Sequence, residues 1–155
     1  MPKTSRIGIL SDTHGYLTPK VHRLFKDVEL IIHAGDIGAD SIILELNSIA
    51  PVTAVCGNTD YGVFLKSLNE FETLTVGEFI LEVTHIPWTF RKPNKSNTIQ
   101  ICGHTHRPRI DRENGVLIIN PGSASKPRYV HQPSVALLKL TDGKRPEAEI
   151  IFFDK

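Results

Sequence analysis

An aspartate and a histidine in the order Asp12-x-His14, the pairs Gly35-Asp36 and Gly57-Asn58, a lone His85 and the run Gly103-His104-Thr105-His106 have side chains suited to holding a metal. Together they offer two carboxylates, one amide oxygen and four imidazoles, with no thiolate among them. That mixture of oxygen and nitrogen donors suits Mn, Fe, Ni or Zn, whereas Ca and Mg take oxygen alone. Seven protein ligands are too many for a single ion that must also bind substrate. Two ions sharing a bridging carboxylate can use them and still keep positions open. Such a pair, about 3.5–4 Å apart, clamps a phosphate and generates hydroxide near neutral pH. Singly the pieces carry little weight, since Asp-x-His occurs by chance and glycine before aspartate is commonplace. Gly-His-x-His is more specific, because a glycine turn presenting two imidazoles has few structural uses. The competing reading is that these polar groups merely cap turns.

Position along the chain separates the two readings. Residues 6–11, 29–34 and 51–56 are short apolar runs of strand character, and each is followed by one of the motifs. Between them, Thr18-Pro19 reads as the cap and first-turn proline of a helical stretch with Val21, Leu24 and Phe25 at helical spacing, and Asp40 as the cap of another carrying Ile42, Ile43, Leu46 and Ile49. Strands alternating with helices of this length predict βαβ units and a parallel sheet. The second half is mostly strands: 71–76 and 78–85 meeting at Gly77, then 99–102, 109–112 and 116–120 around Glu113-Asn114-Gly115, and finally 134–140 and 147–153. Residues 87–98 read as a loop or a poor short helix. In open α/β sheets ligands bind beyond the carboxyl ends of the strands, so groups nearly a hundred residues apart can converge on one crevice. Glycines at 35, 57 and 103 allow the sharp turns and close backbone approach that such a cluster needs.

Composition sets the outer bounds. The chain has 155 residues, 40% of them hydrophobic and 23% charged, which is ordinary for a globular protein and reads as one domain over residues 1–155. A net charge of +1 without a long basic run gives no nucleic-acid patch. Cys56 and Cys102 each end an apolar run, fit no Cys-x-x-Cys spacing, and read as buried hydrophobes. No stretch approaches the ~20 apolar residues of a membrane span, and the first residues lack the apolar core of a signal peptide. A reducing cytoplasm is the expected location, and a homo-oligomer is compatible with the sequence.

The ordered series Asp12-x-His14, Gly35-Asp36, Gly57-Asn58-x-Asp60, His85 and Gly103-His104-x-His106, with Asn120-Pro121-Gly122-Ser123 later, resembles the calcineurin-like metallophosphoesterase superfamily. It is most similar to the small branch of YfcE-type phosphodiesterases, to which the retromer subunit Vps29 is related. The resemblance spans nearly the whole chain and implies a four-layer αββα sandwich of mixed sheets with a dimetal site at one edge. It implies that Asp12, His14 and His106 hold one metal, that Asn58, His85 and His104 hold the other, and that Asp36 bridges them. Asp36, Asn58 and His14 are the expected catalytic residues within this set. A bridging hydroxide would attack phosphorus in line. Manganese is the first expectation for the two divalent ions, with Ni, Fe or Zn as alternatives.

Two departures shape the expected substrate. Thr59 stands where many superfamily phosphatases carry a histidine that binds phosphate or protonates the leaving group, and a threonine cannot act as an acid near pH 7. His85-Ile86-Pro87 replaces the His-Gly-His frequent in relatives. Both point to a small phosphodiester, such as a nucleotide-like ester. A phosphomonoesterase on the same metals and a Vps29-like protein-binding scaffold are the alternatives. No substrate-binding residue is assigned, although Lys126 and Arg128 follow the Asn-Pro-Gly-Ser turn and Trp88, Phe90 and Arg91 follow His85. His33 is expected to pack or to orient a ligand, His22 to face solvent, His131 to lie in a surface loop, and Asp60 to support a turn.

Overall fold

The computed structural model describes residues 2–93, 96–127 and 132–153. In chain order the elements are β1 (Thr4–Leu10), α1 (Lys20–Leu24), β2 (Leu30–His33), α2 (Asp40–Asn47), β3 (Val52–Ala54), α3 (Val63–Ser67), β4 (Phe71–Val76), β5 (Phe79–Thr84), a 3-10 turn (Pro87–Thr89), β6 (Thr98–Ile101), β7 (Arg109–Glu113), β8 (Val116–Asn120), β9 (Ser134–Thr141) and β10 (Glu147–Phe152). They form two five-stranded sheets, ordered β10-β9-β1-β2-β3 and β4-β5-β6-β8-β7. Both sheets are mixed. In the first, β1, β2 and β3 run parallel and β9 and β10 join antiparallel; in the second, β5, β6 and β8 run parallel between antiparallel edges.

The sheets face each other across a core in which Ile7, Ile9 and Ile32 meet Leu81, Val83, Ile99, Ile101 and Ile119. Alternate residues of the first sheet, among them Leu10, Ile31 and Val135, point the other way, into a second apolar cluster built with Val21, Phe25, Ile42, Ile43, Leu46 and Leu65. With both faces covered, β1 and β2 need no polar alternation, which is why they read as continuous apolar runs. The sandwich expected from the resemblance is therefore present, with one layer thin. Among the described residues, the outer face of the second sheet carries the 3-10 turn and its flanking loop and no α-helix. None of the described helices is long and apolar enough to cross a membrane.

Local differences from the sequence reading have physical causes. Residue 40 is the first helical residue of α2 and not its cap; Ala39 holds that place, and no side chain caps the helix. Pro19 likewise precedes α1, with the Thr18 hydroxyl accepting from the Lys20 N–H at 3.4 Å. β3 stops at Ala54 because the backbone changes partner: the Val55 N–H still reaches the His33 carbonyl, but the Cys56 N–H donates to Asn69. The sequence reading missed α3, a five-residue helix entered through Gly62 at φ 92° with Leu65 as its buried anchor, too short to show a period.

Candidate metal centre

Five parallel strand ends deliver the predicted residues to one cleft. β1 leads to Asp12 and His14, β2 to Asp36, β3 to Asn58, β5 directly to His85, and β6 to His104 and His106. Asp12, His14 and His106 bring one potential ligand atom each to within 4.8 Å of one another, and so do Asp12, Asp36 and His85. Asn58 Oδ1 lies 3.1 Å from His104 Nδ1, and the His104 ring stands edge-on to His85 with centroids 5.2 Å apart. All seven residues are thus in one connected group.

The backbone pays for this placement. Six described non-glycine residues have left-handed φ, and five are Asp12 (55°), His14 (48°), Asp36 (56°), His104 (71°) and His106 (60°). Each such residue costs on the order of 1–3 kcal/mol, and strain of this kind gathers where a site is being shaped. Hydrogen bonds between the two exit loops hold the strained backbone: the Asp12 N–H donates to the Gly35 carbonyl and the His14 N–H to the Asp36 carbonyl, both at 3.0 Å. Close approach explains two of the glycines. A Cβ on Gly57 would sit 2.1 Å from the Asp36 nitrogen, and one on Gly103 would sit 2.0 Å from Ser11 Oγ.

Side-chain partners aim the ligand atoms inward. Asp12 Oδ2 accepts from the Ser11 hydroxyl at 2.6 Å and from the His104 N–H at 3.1 Å. Asp36 Oδ1 accepts from the Thr59 N–H at 2.9 Å. His85 Nδ1–H donates to the Ala34 carbonyl at 2.7 Å, and His106 Nδ1–H donates to the Lys126 carbonyl, so each ring presents its Nε2 lone pair to the cleft. Among the described residues, two buried side-chain polar atoms remain without a hydrogen-bond partner, Asp12 Oδ1 and His85 Nε2, and they lie 3.8 Å apart. Asp12 Oδ1 also lies 3.2 Å from His106 Nε2, and His85 Nε2 lies 3.2 Å from Asp36 Oδ2. Buried polar atoms left unpaired are costly, and cations bound in this cleft would satisfy them. The donor set and its orphaned atoms fit a divalent transition metal.

Charge in the cleft follows the same arrangement. Burial opposes the charge on Asp36, but the adjacent His85 and the Thr59 N–H outweigh it and hold the carboxyl far below the usual range. Burial also works against a charged His85, yet Asp36 and Asp12 overcome it and raise the imidazole pKa. Burial lowers that of His14 despite the same two carboxylates. A cation bound beside the two carboxylates would favour the neutral imidazole, whose Nε2 lone pair could then bind it.

Supporting residues surround this group. His33 is fully buried; the Gly35 N–H donates to its Nδ1 at 3.1 Å, which places the proton on Nε2, 2.9 Å from the Thr13 hydroxyl. Thr13 in turn donates to the Ile37 carbonyl at 2.8 Å. Asp60 accepts three backbone N–H groups, from Ile37 (2.8 Å), Gly38 (3.0 Å) and Gly57 (2.8 Å), tying the second motif to the third. Sequence reasoning assigned no role to Asn120, Ser123 or Ser125. Asn120 donates to the Gly103 carbonyl at 2.9 Å, while the Ser123 and Ser125 hydroxyls donate to the Asp12 carbonyl at 2.8 and 3.1 Å. The only hint was the Asn-Pro-Gly-Ser run itself. Trp88 stands edge-on to His104 with centroids 5.3 Å apart, and Phe90 lines a different surface depression. His22 pairs with Glu45 at 2.9 Å on the exposed side of the helices, and both cysteines are buried, with burial pushing the Cys102 thiol up to about 12. Arg128 and His131 lie outside the described residues.

Comparison with known proteins points to one family. The profile of the calcineurin-like phosphoesterase superfamily domain matches residues 6–143. A probable metallophosphoesterase of Methanothermobacter thermautotrophicus is 38% identical over 158 residues, covering 94% of this chain and 91% of that protein. A phosphodiesterase of Methanocaldococcus jannaschii is 32% identical over 138 residues, covering 76% and 82%. The solved structure of vacuolar protein sorting 29 (Vps29) from Cryptosporidium parvum superposes with a TM-score of 0.76 at 21% identity, covering 98% of this chain and 99% of the other. At that identity the Vps29 likeness speaks for the fold alone. The profile match over most of the length, together with relatives above 30% identity, makes this chain a member of the calcineurin-like phosphoesterase superfamily, whose members use divalent metals.

Proposed function

We propose that this phosphoesterase hydrolyses small phosphodiesters with two divalent transition-metal ions, manganese being the first choice and Ni, Fe or Zn the alternatives. Asp12, His14 and His106 would hold one ion, Asn58, His85 and His104 would hold the other, and Asp36 would serve both. The observation that carries the reading is the pair of orphaned buried atoms, Asp12 Oδ1 and His85 Nε2, in the middle of the imidazole cluster. When bound, the ions supply an activated water for in-line attack on phosphorus and positive charge for the phosphoryl oxygens. The chain's own residues do the positioning. Thr59 fixes one oxygen of Asp36 through its N–H and leaves the other turned to the cleft. His85 and His106 keep their protons on Nδ1, bound to backbone carbonyls, so that neither ring turns away.

The preference for diesters rests on position 59. Threonine gives no imidazole to bind the second negative charge of a monoester or to protonate an alkoxide, which favours diesters whose leaving group departs unaided. The relative named as a phosphodiesterase supports the same choice. The test is hydrolysis of bis(p-nitrophenyl) phosphate with added manganese. Wild-type protein is expected to turn it over faster than p-nitrophenyl phosphate, and Asp36→Ala is expected to lose about a hundredfold or more. Equal rates for wild type and variant would sink the assignment. Faster monoester turnover would replace the diesterase by a phosphomonoesterase.

A further inference from the structure

The Asn58 and His85 side of the candidate metal centre opens into a cleft of about 470 Å³. That size is in the range that takes a small organic ligand. One wall is the start of β4, Glu70 and Phe71; the other is the segment after His85, with Ile86, Thr89 and Arg91. Both walls are tied to the strands that carry the metal-binding motifs. The Cys56 N–H donates to the Asn69 carbonyl at 2.8 Å, joining the first wall to the exit of β3. The Thr84 hydroxyl donates to the Glu70 carbonyl at 3.2 Å and lies 3.0 Å from the Thr89 hydroxyl, so one residue on the floor holds both sides. Gln100 donates to the Arg91 carbonyl at 3.2 Å. Phe71 is left 46% exposed although it heads a strand, which puts an aromatic side chain at the rim of a cleft beside the site of reaction.

We propose that this cleft seats the organic substituent of the diester, and that the substituent is a flat heteroaromatic ring of the nucleoside kind. The proposal rests on the phosphodiesterase reading above. The face of Phe71 takes the ring, as aromatic side chains take bases elsewhere. The Arg91 guanidinium donates and the Glu70 carboxylate accepts at the heteroatoms of the ring edge. A second phosphate in this position is not favoured, because the Glu70 carboxylate offsets the attraction of Arg91. A plain alkyl group would use Phe71 and Ile86 and gain nothing from the two charged residues.

The experiment compares p-nitrophenyl thymidine 5′-phosphate with methyl p-nitrophenyl phosphate, both read by release of p-nitrophenolate from the manganese-loaded protein. The nucleotidyl ester is expected to have the lower KM. Phe71→Ala and Arg91→Ala are each expected to cut the ratio of kcat/KM between the two esters by about tenfold, through KM. Variants that slow both esters in parallel overturn the proposal, and so does a wild-type protein that hydrolyses both equally well. A wild-type protein that hydrolyses neither overturns the phosphodiesterase reading and the cleft assignment together. Turnover of the methyl ester without a nucleoside preference removes the cleft assignment alone.

Discussion

His33 shows how a single residue can serve the cleft without facing it. Its two ring nitrogens bridge Gly35 and Thr13, the exits of β2 and β1, and its burial pushes the pKa from 6.5 to about 3. The folded-state pKa is depressed below the unfolded one. Between those two values the unfolded chain therefore binds more protons, and stability falls as the pH falls. The loss from this group begins below about pH 6.5 and runs to about pH 3, at no more than about 1.4 kcal/mol per pH unit. Urea unfolding midpoints of metal-free protein from pH 4 to 7 are expected to drop with acid in wild type and to drop less in His33→Gln. Parallel profiles would remove His33 as the cause. Thr59 acts by a different route, since the chemistry it lacks is a side-chain matter while its N–H still fixes Asp36.

At the scale of elements, the turns after the strands matter more than the strands. The second and third motif loops are joined by one carboxylate, Asp60, which is 1% exposed and accepts three backbone N–H groups. Asp60→Ala leaves those donors without their acceptor, and a buried unsatisfied group costs about 1–3 kcal/mol. The variant is expected to lose about 3 kcal/mol or more in urea unfolding, and its manganese affinity, measured by calorimetry, is expected to fall ten- to hundredfold. Asp60→Asn keeps one acceptor oxygen and is expected to fall between the two. Unchanged affinity in Asp60→Ala would show that Gly57 and Asp36 hold their places without it. The three-residue β3 and five-residue α3 on either side of this loop are too short to hold it in place.

In the whole molecule, the cleft lies where the ends of two separate sheets come together, so a cation bound there joins them. Asp36 comes from the first sheet and His85 from the second, and the atoms that face each other are buried. A ligand that binds only the folded state stabilises it by about 2.7 kcal/mol at a hundred times its Kd. Manganese is thus expected to raise the Tm by about 5–10 °C, and a chelator to reverse the gain. A Tm indifferent to both would argue that the sites do not fill at those concentrations. Much of this architecture was legible in the chain itself. Apolar runs of strand length, each punctuated by Gly, Asp, Asn or His, are local features, and they marked the strands and the seven candidate ligands that lie beyond their ends. The family resemblance supplied the two-sheet sandwich, which the local pattern alone left as a generic α/β domain. Other features came only from tertiary structure. Asp60 reaching Ile37 and Gly38, Asn120 reaching Gly103, Ser123 reaching Asp12, and the walls at Phe71 and Arg91 all depend on contacts between distant segments. No periodicity records such contacts, because each forms only after strand register has brought its loops together.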